Sequence, residues 1–371
     1  MGKTLMIFGL GDLGGWVLEF FARRVGLSTI IAADIKEEWG VMKTHCAAAG
    51  AGLEGYSKTI KFEKCDVKDT EFTAELINKY KPDVIYSSLT LSAWLPNRVL
   101  IKAFGKKYHQ ASVHGVPTQI TLLYKLMEAL KRSGHKAPVV NHSYPDVTNC
   151  ILYRAGYPVT IGAGNLDNVV AEVKRKVSIS ENVPFTEVIV YLVAEHALNV
   201  FGSRGGAPYF LKVLVGDQDI TKKTDVDSLL SDKLITSPPD QTSWLNHPFI
   251  ASSAVRNVMA MINDTNEFAC APGPNGLPGG YPVRISGKGV EVVLPEGITM
   301  EQAIKINMDG MRMEGVEEIK NDGTTVITQE GNKVIKELFG MDLKEIRLSD
   351  MEDLGKDIAE VKRKLIKKYT Q

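Results

Sequence analysis

The sequence has few cysteines, no excess of either charge and no long apolar run, and each absence excludes a class of protein. Its four cysteines are scattered and form no CxxC pair, so neither a zinc site nor a thioredoxin-type motif is indicated. The 44 Lys and Arg residues balance 44 Asp and Glu residues, which leaves no basic footprint of a nucleic-acid-binding protein. No apolar run reaches the roughly 18 residues that a membrane-spanning helix requires.

The composition does provide enough apolar material for complete hydrophobic cores. Of the 371 residues, 44% are hydrophobic and 24% are charged, which is typical of globular proteins, and the length suits two domains. Scattered cysteines fit a reducing compartment. An apolar run that begins at residue 4 leaves no room for a signal peptide before Gly9. We therefore expect a cytoplasmic protein that acts on a small molecule, with neither nucleic acid nor a membrane as partner.

Strands and helices alternate along the first 149 residues. Apolar stripes with helical spacing predict helices at residues 69–80 and 118–133. Short apolar runs predict buried strands at residues 4–8, 29–33, 58–62, 84–86 and 138–141. This alternation predicts an α/β fold with an N-terminal Rossmann domain, a doubly wound parallel sheet, over residues 1–149. For residues 150–371, β-rich runs followed by a helical C-terminal tail predict an α+β substrate domain.

A glycine-rich loop with GxGxxG spacing, Gly9-Leu10-Gly11-Asp12-Leu13-Gly14, follows the first predicted strand. Gly9 permits a tight turn, Gly11 lets the backbone approach a pyrophosphate, and Gly14 lets the next helix pack closely on the strand. The start of that helix offers unpaired N–H groups and the positive end of its dipole to phosphates. The sequence thus predicts a dinucleotide site formed by Gly9, Gly11, Asp12, Leu13 and Gly14.

The second predicted strand ends in Asp34, 20 residues beyond Gly14, where an acid meets the ribose hydroxyls of a dinucleotide. A carboxylate there repels the extra phosphate of NADP, so NAD is the expected cofactor, although Lys36 weakens this preference. The ends of the third and fourth strands provide further candidates at the cofactor, which could equally be ordinary turn residues: Asp66, Ser87, Ser88 and Leu89.

The second half contains a candidate catalytic pair, Asp167 and His196, which lie 29 residues apart. A neutral histidine can accept the proton of a hydroxyl while hydride leaves the same carbon. An aspartate bonded to its other ring nitrogen would fix the tautomer. Each residue also has a structural explanation, since His196 could be a core histidine and Asp167 an acid favoured by a helix N-terminus. The other histidines show no metal-ligand spacing, and no metal is expected.

The chain resembles the lactate/malate dehydrogenase superfamily over about residues 4–310. The resemblance is carried by the glycine loop, by residues 140–148, 253–262 and 282–291, and by the segments Gly164-Asn165-Leu166-Asp167 and Glu195-His196. It implies an NAD(H)-dependent dehydrogenase that transfers hydride to or from a small hydroxy or oxo substrate, such as a 2-hydroxy acid. It also implies that His196 is the acid/base assisted by Asp167, and that the protein is a homodimer or homotetramer.

The sequence departs from the family pattern where the substrate binds. The family's carboxylate-binding arginine is replaced by Val170, which cannot form a charge-assisted fork with a carboxylate. The family's Asn-Pro pair reads Tyr144-Pro145. We therefore expect either another cation or a different substrate. Arg204 in a glycine-rich segment is the first candidate for that cation, and Asn141 and Tyr144 are further candidate substrate-binding residues.

The tail, about residues 311–371, matches nothing in the family. Its basic residues Lys362-Arg363-Lys364 and Lys367-Lys368 are interpreted as the solvated face of a terminal helix. Two other functions fit parts of the sequence. An epimerase or dehydratase of nucleotide sugars, related to extended short-chain dehydrogenases, is suggested by residues 66–69 and 81–85, but the glycine spacing argues against it. A non-catalytic NAD-binding sensor is suggested by the missing arginine.

Overall fold

The first sheet consists of six parallel strands in the computed structural model, which describes residues 2–93, 96–230 and 246–370. The strands are β1 (Lys3–Phe8), β2 (Leu27–Asp34), β3 (Thr59–Lys64), β4 (Val84–Ser87), β5 (Val139–Asn141) and β6 (Ile161–Gly162). Their order, β3-β2-β1-β4-β5-β6, is that of a dinucleotide-binding Rossmann fold, and the predicted doubly wound parallel sheet is confirmed. The sixth strand lies beyond residue 149, where the sequence placed the end of the domain.

Strand β1 lies between two hydrophobic layers because its side chains alternate between the faces of the sheet. Leu5 and Ile7 pack into one core cluster, and Met6 and Phe8 pack into another. All four are fully buried, which explains why the strand reads as a continuous apolar run. Seven helices cover this half of the chain: α1 (Asp12–Ala22), α2 (Glu37–Leu53), α3 (Thr70–Tyr80), α4 (Asn97–Phe104), α5 (Lys106–His109), α6 (Val116–Ser133) and α7 (Pro145–Arg154).

A second, antiparallel sheet forms the core of the following segment. Its strands are β7 (Val188–Ala194), β8 (Tyr209–Val215), β9 (Gln218–Asp219), β10 (Glu267–Pro272), β11 (Gly280–Ser286) and β12 (Gly289–Val292). They are arranged β10-β11-β7-β8-β9, with β12 paired to β11. The helices are α8 (Leu166–Ser180), α9 (Ala197–Phe201), α10 (Val226–Leu229), α11 (His247–Asn263) and α12 (Met300–Met313). Helix α11 also packs on α1, which joins this segment to the Rossmann sheet.

The tail folds back on the Rossmann half. It contains α13 (Gln329–Phe339) and α14 (Met351–Thr370), together with three short strands, β13 (Val316–Ile319), β14 (Thr325–Ile327) and β15 (Glu345–Ile346). These strands form an antiparallel sheet that the expectation of a helical tail does not include. Helix α14 packs on α4 and α6, and buried tail side chains share the hydrophobic cluster of Met6 and Phe8. No helix within the described ranges is both long and apolar enough to cross a membrane.

Candidate active site

A cavity of about 490 Å³ lies at the carboxyl ends of β4 and β5, between the glycine loop and the tail. Doubly wound sheets bind their ligands at this edge, where the strand order reverses. Gly11 and Ser88 line the cavity on the side of the glycine loop, and Tyr144, His196 and Lys362 line it elsewhere. The cavity thus connects the predicted cofactor loop with the predicted catalytic histidine.

The glycine loop has the geometry that a pyrophosphate site requires. Gly9 has a φ of +92°, and a Cβ atom on Gly14 would lie 2.0 Å from the Gly9 carbonyl oxygen, so both positions require glycine. A Cβ atom on Gly11 would meet no atom within 4 Å, because this residue borders open space. Helix α1 also begins without a side-chain cap, so its first N–H groups are available to an anion.

Asp34 is held in place at the end of β2. Its carboxylate oxygens accept hydrogen bonds from the backbone N–H of Leu10, at 2.6 Å, and from that of Lys36, at 2.8 Å. A carboxylate has about four acceptor positions, so two remain for ribose hydroxyls. The Lys43 ammonium, which the sequence analysis missed, donates to the carbonyls of Leu10 and Gly11 at 2.6 and 2.8 Å and fixes the loop beside Asp34. These residues fit a bound dinucleotide.

Only some of the other cofactor candidates face the cavity. Ser88 lines it and donates a hydrogen bond to the Gly9 carbonyl at 3.0 Å, while Asp12 and Leu13 line the side of the loop. Ser87 is fully buried, and Asp66 is exposed and accepts a hydrogen bond from the Lys68 N–H at 3.0 Å. The predicted cofactor residues that do not line the cavity are Gly9, Asp34, Asp66, Ser87 and Leu89, although Asp34 bonds to Leu10 of the loop and Gly9 bonds to Ser88.

His196 follows β7 and Glu195 and is the N-cap residue of α9. Its side chain is 14% exposed and lines the cavity. Its Nδ1 atom lies 3.0 and 2.9 Å from the two carboxylate oxygens of Glu314, at the end of α12. Burial lowers the pKa of His196, but the charge and hydrogen bond of Glu314 outweigh it, and the pKa is raised above its ordinary value. With Nδ1 engaged, Nε2 is left for a ligand.

The expected pairing of His196 with Asp167 is wrong. Asp167 begins α8 as predicted, but Arg256 of α11 binds both of its carboxylate oxygens, at 2.8 and 2.7 Å. Helix α11 packs beside α8 and supplies this guanidinium, which satisfies the carboxylate away from the cavity. Glu314 occupies the place at His196 that the family resemblance assigned to the aspartate.

Two further buried carboxyl groups, Asp146 and Glu195, lie near the His196–Glu314 pair. Burial raises the pKa of Asp146 to about 6, although His196 and a hydrogen bond from Asn165 oppose this effect. Burial, followed by the charge of Glu314, raises the pKa of Glu195 well above its ordinary value. The bond to His196 instead lowers the pKa of Glu314, against the effect of its own burial. Glu314 is therefore the charged partner of the imidazole, whereas burial and the charge of Glu314 favour the neutral form of Glu195.

The three candidate substrate-binding residues lie in different environments, and only one of them lines the cavity. Tyr144 lines the cavity, and its hydroxyl donates to Glu314 at 3.0 Å while its ring lies 5.4 Å from that of His196. Asn141 is fully buried, and its amide binds Ser143, Thr148 and Asn149, so it orders the turn after β5 instead of facing a ligand. Arg204 is exposed and is not among the residues that line the cavity.

Two cavity residues were missed or misread in the sequence. His142 is half-buried after β5, with Nδ1 3.0 Å from the Tyr86 hydroxyl and with a buried Nε2 that has no partner among the described residues. Burial lowers the pKa of His142 to about 3. Lys362 is 2% exposed, so its assignment to a solvated helix face is wrong. Its position on the buried stripe formed by Met351, Gly355 and Ile358 is the sequence signal that indicates this.

No protein-family model and no curated protein sequence matches the chain, but solved structures do. A lactate dehydrogenase from a Medee basin deep-sea metagenome library is 14% identical, with a TM-score of 0.56 over 84% of this chain and 99% of its own. The malate dehydrogenase from Aeropyrum pernix is also 14% identical, with a TM-score of 0.58 over 84% of this chain and 97% of its own.

A third similar structure is the lactate dehydrogenase from Eimeria maxima with NADH and oxamate. It is 14% identical, with a TM-score of 0.57 over 84% of this chain and 91% of its own. The chain therefore has the fold of the lactate and malate dehydrogenases, in which a Rossmann-like parallel sheet is combined with a separate antiparallel sheet. The predicted resemblance is confirmed at the level of the fold.

Proposed function

We propose that the chain is an NAD(H)-dependent oxidoreductase that transfers hydride to or from a small hydroxy or oxo substrate, with His196 as its acid/base. The observation that supports this most is the placement of His196 in the cavity that also reaches the open backbone at Gly11. An imidazole held at Nδ1 by a buried carboxylate has the orientation and basicity that proton transfer at Nε2 needs.

In the reaction we propose, the protein donates or accepts one proton. Bound NADH would supply the hydride to the carbonyl carbon of the substrate. His196 donates a proton from Nε2 to the carbonyl oxygen, and the neutral imidazole takes it back in the oxidation direction. Glu314 stabilises the imidazolium and fixes the ring, while Tyr144 holds Glu314 from the other side. The loop from Gly9 to Gly14 and Asp34 would bind the pyrophosphate and the ribose.

The nucleotide-sugar alternative has less support in the structure. Tyr153 and Tyr157 lack the lysine four residues later that a short-chain dehydrogenase mechanism uses. Tyr153 is 47% exposed, and the ring of Tyr157 packs on Tyr124 at 5.0 Å. Neither lines the cavity, so neither is placed to protonate a substrate beside the glycine loop.

The proposal is tested by NADH oxidation at 340 nm with a panel of 2-oxo acids, aldehydes and nucleotide sugars. We expect turnover with an oxo acid or aldehyde, and a loss of about 10²–10⁴-fold in kcat for His196→Asn, as is typical for removal of an acid/base group. His45→Asn is a matched control, because His45 is exposed on α2, and we expect it to retain full activity.

Calorimetry with NADH separates the possible outcomes. NADH binding without turnover of any panel member, together with no effect of His196→Asn, would favour the sensor. Absence of NADH and NAD binding would overturn the proposal as a whole. Epimerisation or dehydration of a nucleotide sugar consumes no net NADH and is detected by chromatography of the product. If this reaction survives His196→Asn, it would favour the epimerase-like alternative.

A further inference from the structure

Helix α14 places one lysine inside the protein. Its other lysines near the C-terminus, such as Lys364 and Lys367, are exposed, but Lys362 is 2% exposed and lines the cavity. The helix is held in this orientation by its packing on α6 and by the Thr121 hydroxyl, which donates to the Met351 carbonyl at 2.9 Å. The position of Lys362 is therefore set by the fold of the tail.

Lys362 has no counter-charge in the part of the chain that the structure describes. Within the described ranges it forms no ion pair or hydrogen bond, and burial alone lowers its pKa to about 8. The nearby His114 offers no negative charge in either protonation state, and burial, followed by the charge of Lys362, lowers its pKa. A buried ammonium without a partner is unfavourable, and proteins normally pair such a charge or use it to bind a ligand.

The surroundings of Lys362 suit an anion. The Nζ atom lies 3.4 Å from where a Cβ atom on Gly115 would be, so the absent side chain leaves space beside the ammonium. Gln119 also lines the cavity and carries an amide that can donate hydrogen bonds. The only carboxylate among the described lining residues is Asp12, in the glycine loop, whereas Arg98 adds a second cation.

We infer that Lys362 binds an oxyanion of the substrate, a carboxylate or a phosphate, in the cavity that it shares with His196. This inference rests on the proposed function, because that function makes the bound oxyanion part of a substrate. In this inference the cation that replaces the family's arginine, whose position is Val170, is Lys362 of the tail and not Arg204. A lysine is a compact point charge without the planar fork of arginine, so it binds either class of oxyanion without a bidentate geometry.

The test follows the titration of Lys362 by NMR in protein labelled with ¹³C at the lysine Cε. The Lys362 resonance is the one that disappears in Lys362→Met, with Lys362→Arg as a second variant for assignment and Lys367→Met as the exposed control on the same helix. We expect 50 mM oxalate or 50 mM inorganic phosphate to raise the pKa of Lys362 by about one unit or more. A response to oxalate alone assigns a carboxylate, and a response to phosphate alone assigns a phosphate.

NADH binding to the same variants keeps this inference separate from the proposed function. If neither anion shifts Lys362, with or without saturating NADH, the inference is overturned even where NADH binds normally. If Lys362→Met lowers NADH affinity tenfold while Lys367→Met does not, the lysine serves the cofactor and the inference is also overturned. If the anions shift Lys362 but no NADH binds, the anion site stands and the proposed function fails.

Discussion

The two ends of the cavity are built in different ways. The end where we propose that the cofactor binds is formed largely by local backbone, with an open glycine at Gly11, close packing at Gly14 and the uncapped start of α1. The Asp34 carboxylate lies beside this loop. The catalytic end consists of side chains from distant segments, with His196 after β7 bonded to Glu314 in a contact that spans 118 residues. The first end depends on local geometry, and the second depends on the packing of the tail.

The largest effect is expected outside both ends of the cavity, at the Arg256–Asp167 ion pair that joins α11 to α8. Arg256→Leu leaves the carboxylate of Asp167, which is 6% exposed, buried without its partner. We expect the free energy of unfolding to fall by about 3–5 kcal/mol, measured by urea denaturation. The double variant Arg256→Leu/Asp167→Leu should be less destabilised than the single one. Equal losses in both would mean that this ion pair is not the cause.

A pH-dependent effect of about 3 kcal/mol is expected at Lys362, whose folded-state pKa of about 8 lies below the ordinary value of 10.5. The unfolded chain binds the proton more tightly, so the wild type carries the full penalty below pH 8 and regains stability as the pH rises from 8 toward 10.5. Lys362→Met has no ammonium at this position and does not carry this penalty. Its advantage in free energy of unfolding over the wild type should therefore shrink between pH 7 and pH 10. A constant difference would contradict the assignment.

A smaller effect is expected at the cofactor end. Asp34→Ala removes the carboxylate that binds Leu10 and that would meet the ribose. We expect about a tenfold loss of NADH affinity, equivalent to one charge-assisted hydrogen bond, and weaker discrimination against NADPH. Asp66→Ala is the matched control, because Asp66 follows the neighbouring strand β3 and is exposed. This variant should leave NADH affinity unchanged. Fluorescence titration with both cofactors measures these values, and unchanged cofactor selectivity in Asp34→Ala would contradict the role of Asp34.

The backbone geometry of the cofactor end was predictable from the sequence because its signals are local. The spacing of Gly9, Gly11 and Gly14 and the position of Asp34 at a strand end follow from strand–helix alternation, and the structure places them accordingly. The partner of His196 was not predictable in the same way. Asp167 matched a family spacing, but a carboxylate pairs with the nearest cation, and the packing of α11 determines that this is Arg256.

The tail shows a second limit of sequence reasoning. Glu314 and Lys362 lie where the resemblance to known dehydrogenases ends, so no motif marked them as part of a site. A lysine among charged neighbours is typical of a solvated helix face. Only the helical spacing of Lys362 from Met351 and Ile358 indicates that it points inward, and only the packing of α14 shows that a cavity lies there.

The central claim is that the tail, through Glu314, positions and charges His196. NMR titration of the histidine rings in ¹⁵N-labelled protein tests it most directly. We predict a His196 pKa above its ordinary value of 6.5 in the wild type, a clear fall in Glu314→Gln, and little change in Glu195→Gln or Asp167→Asn. A His196 titration that is unchanged in Glu314→Gln, or that falls equally in Asp167→Asn, would contradict the claim.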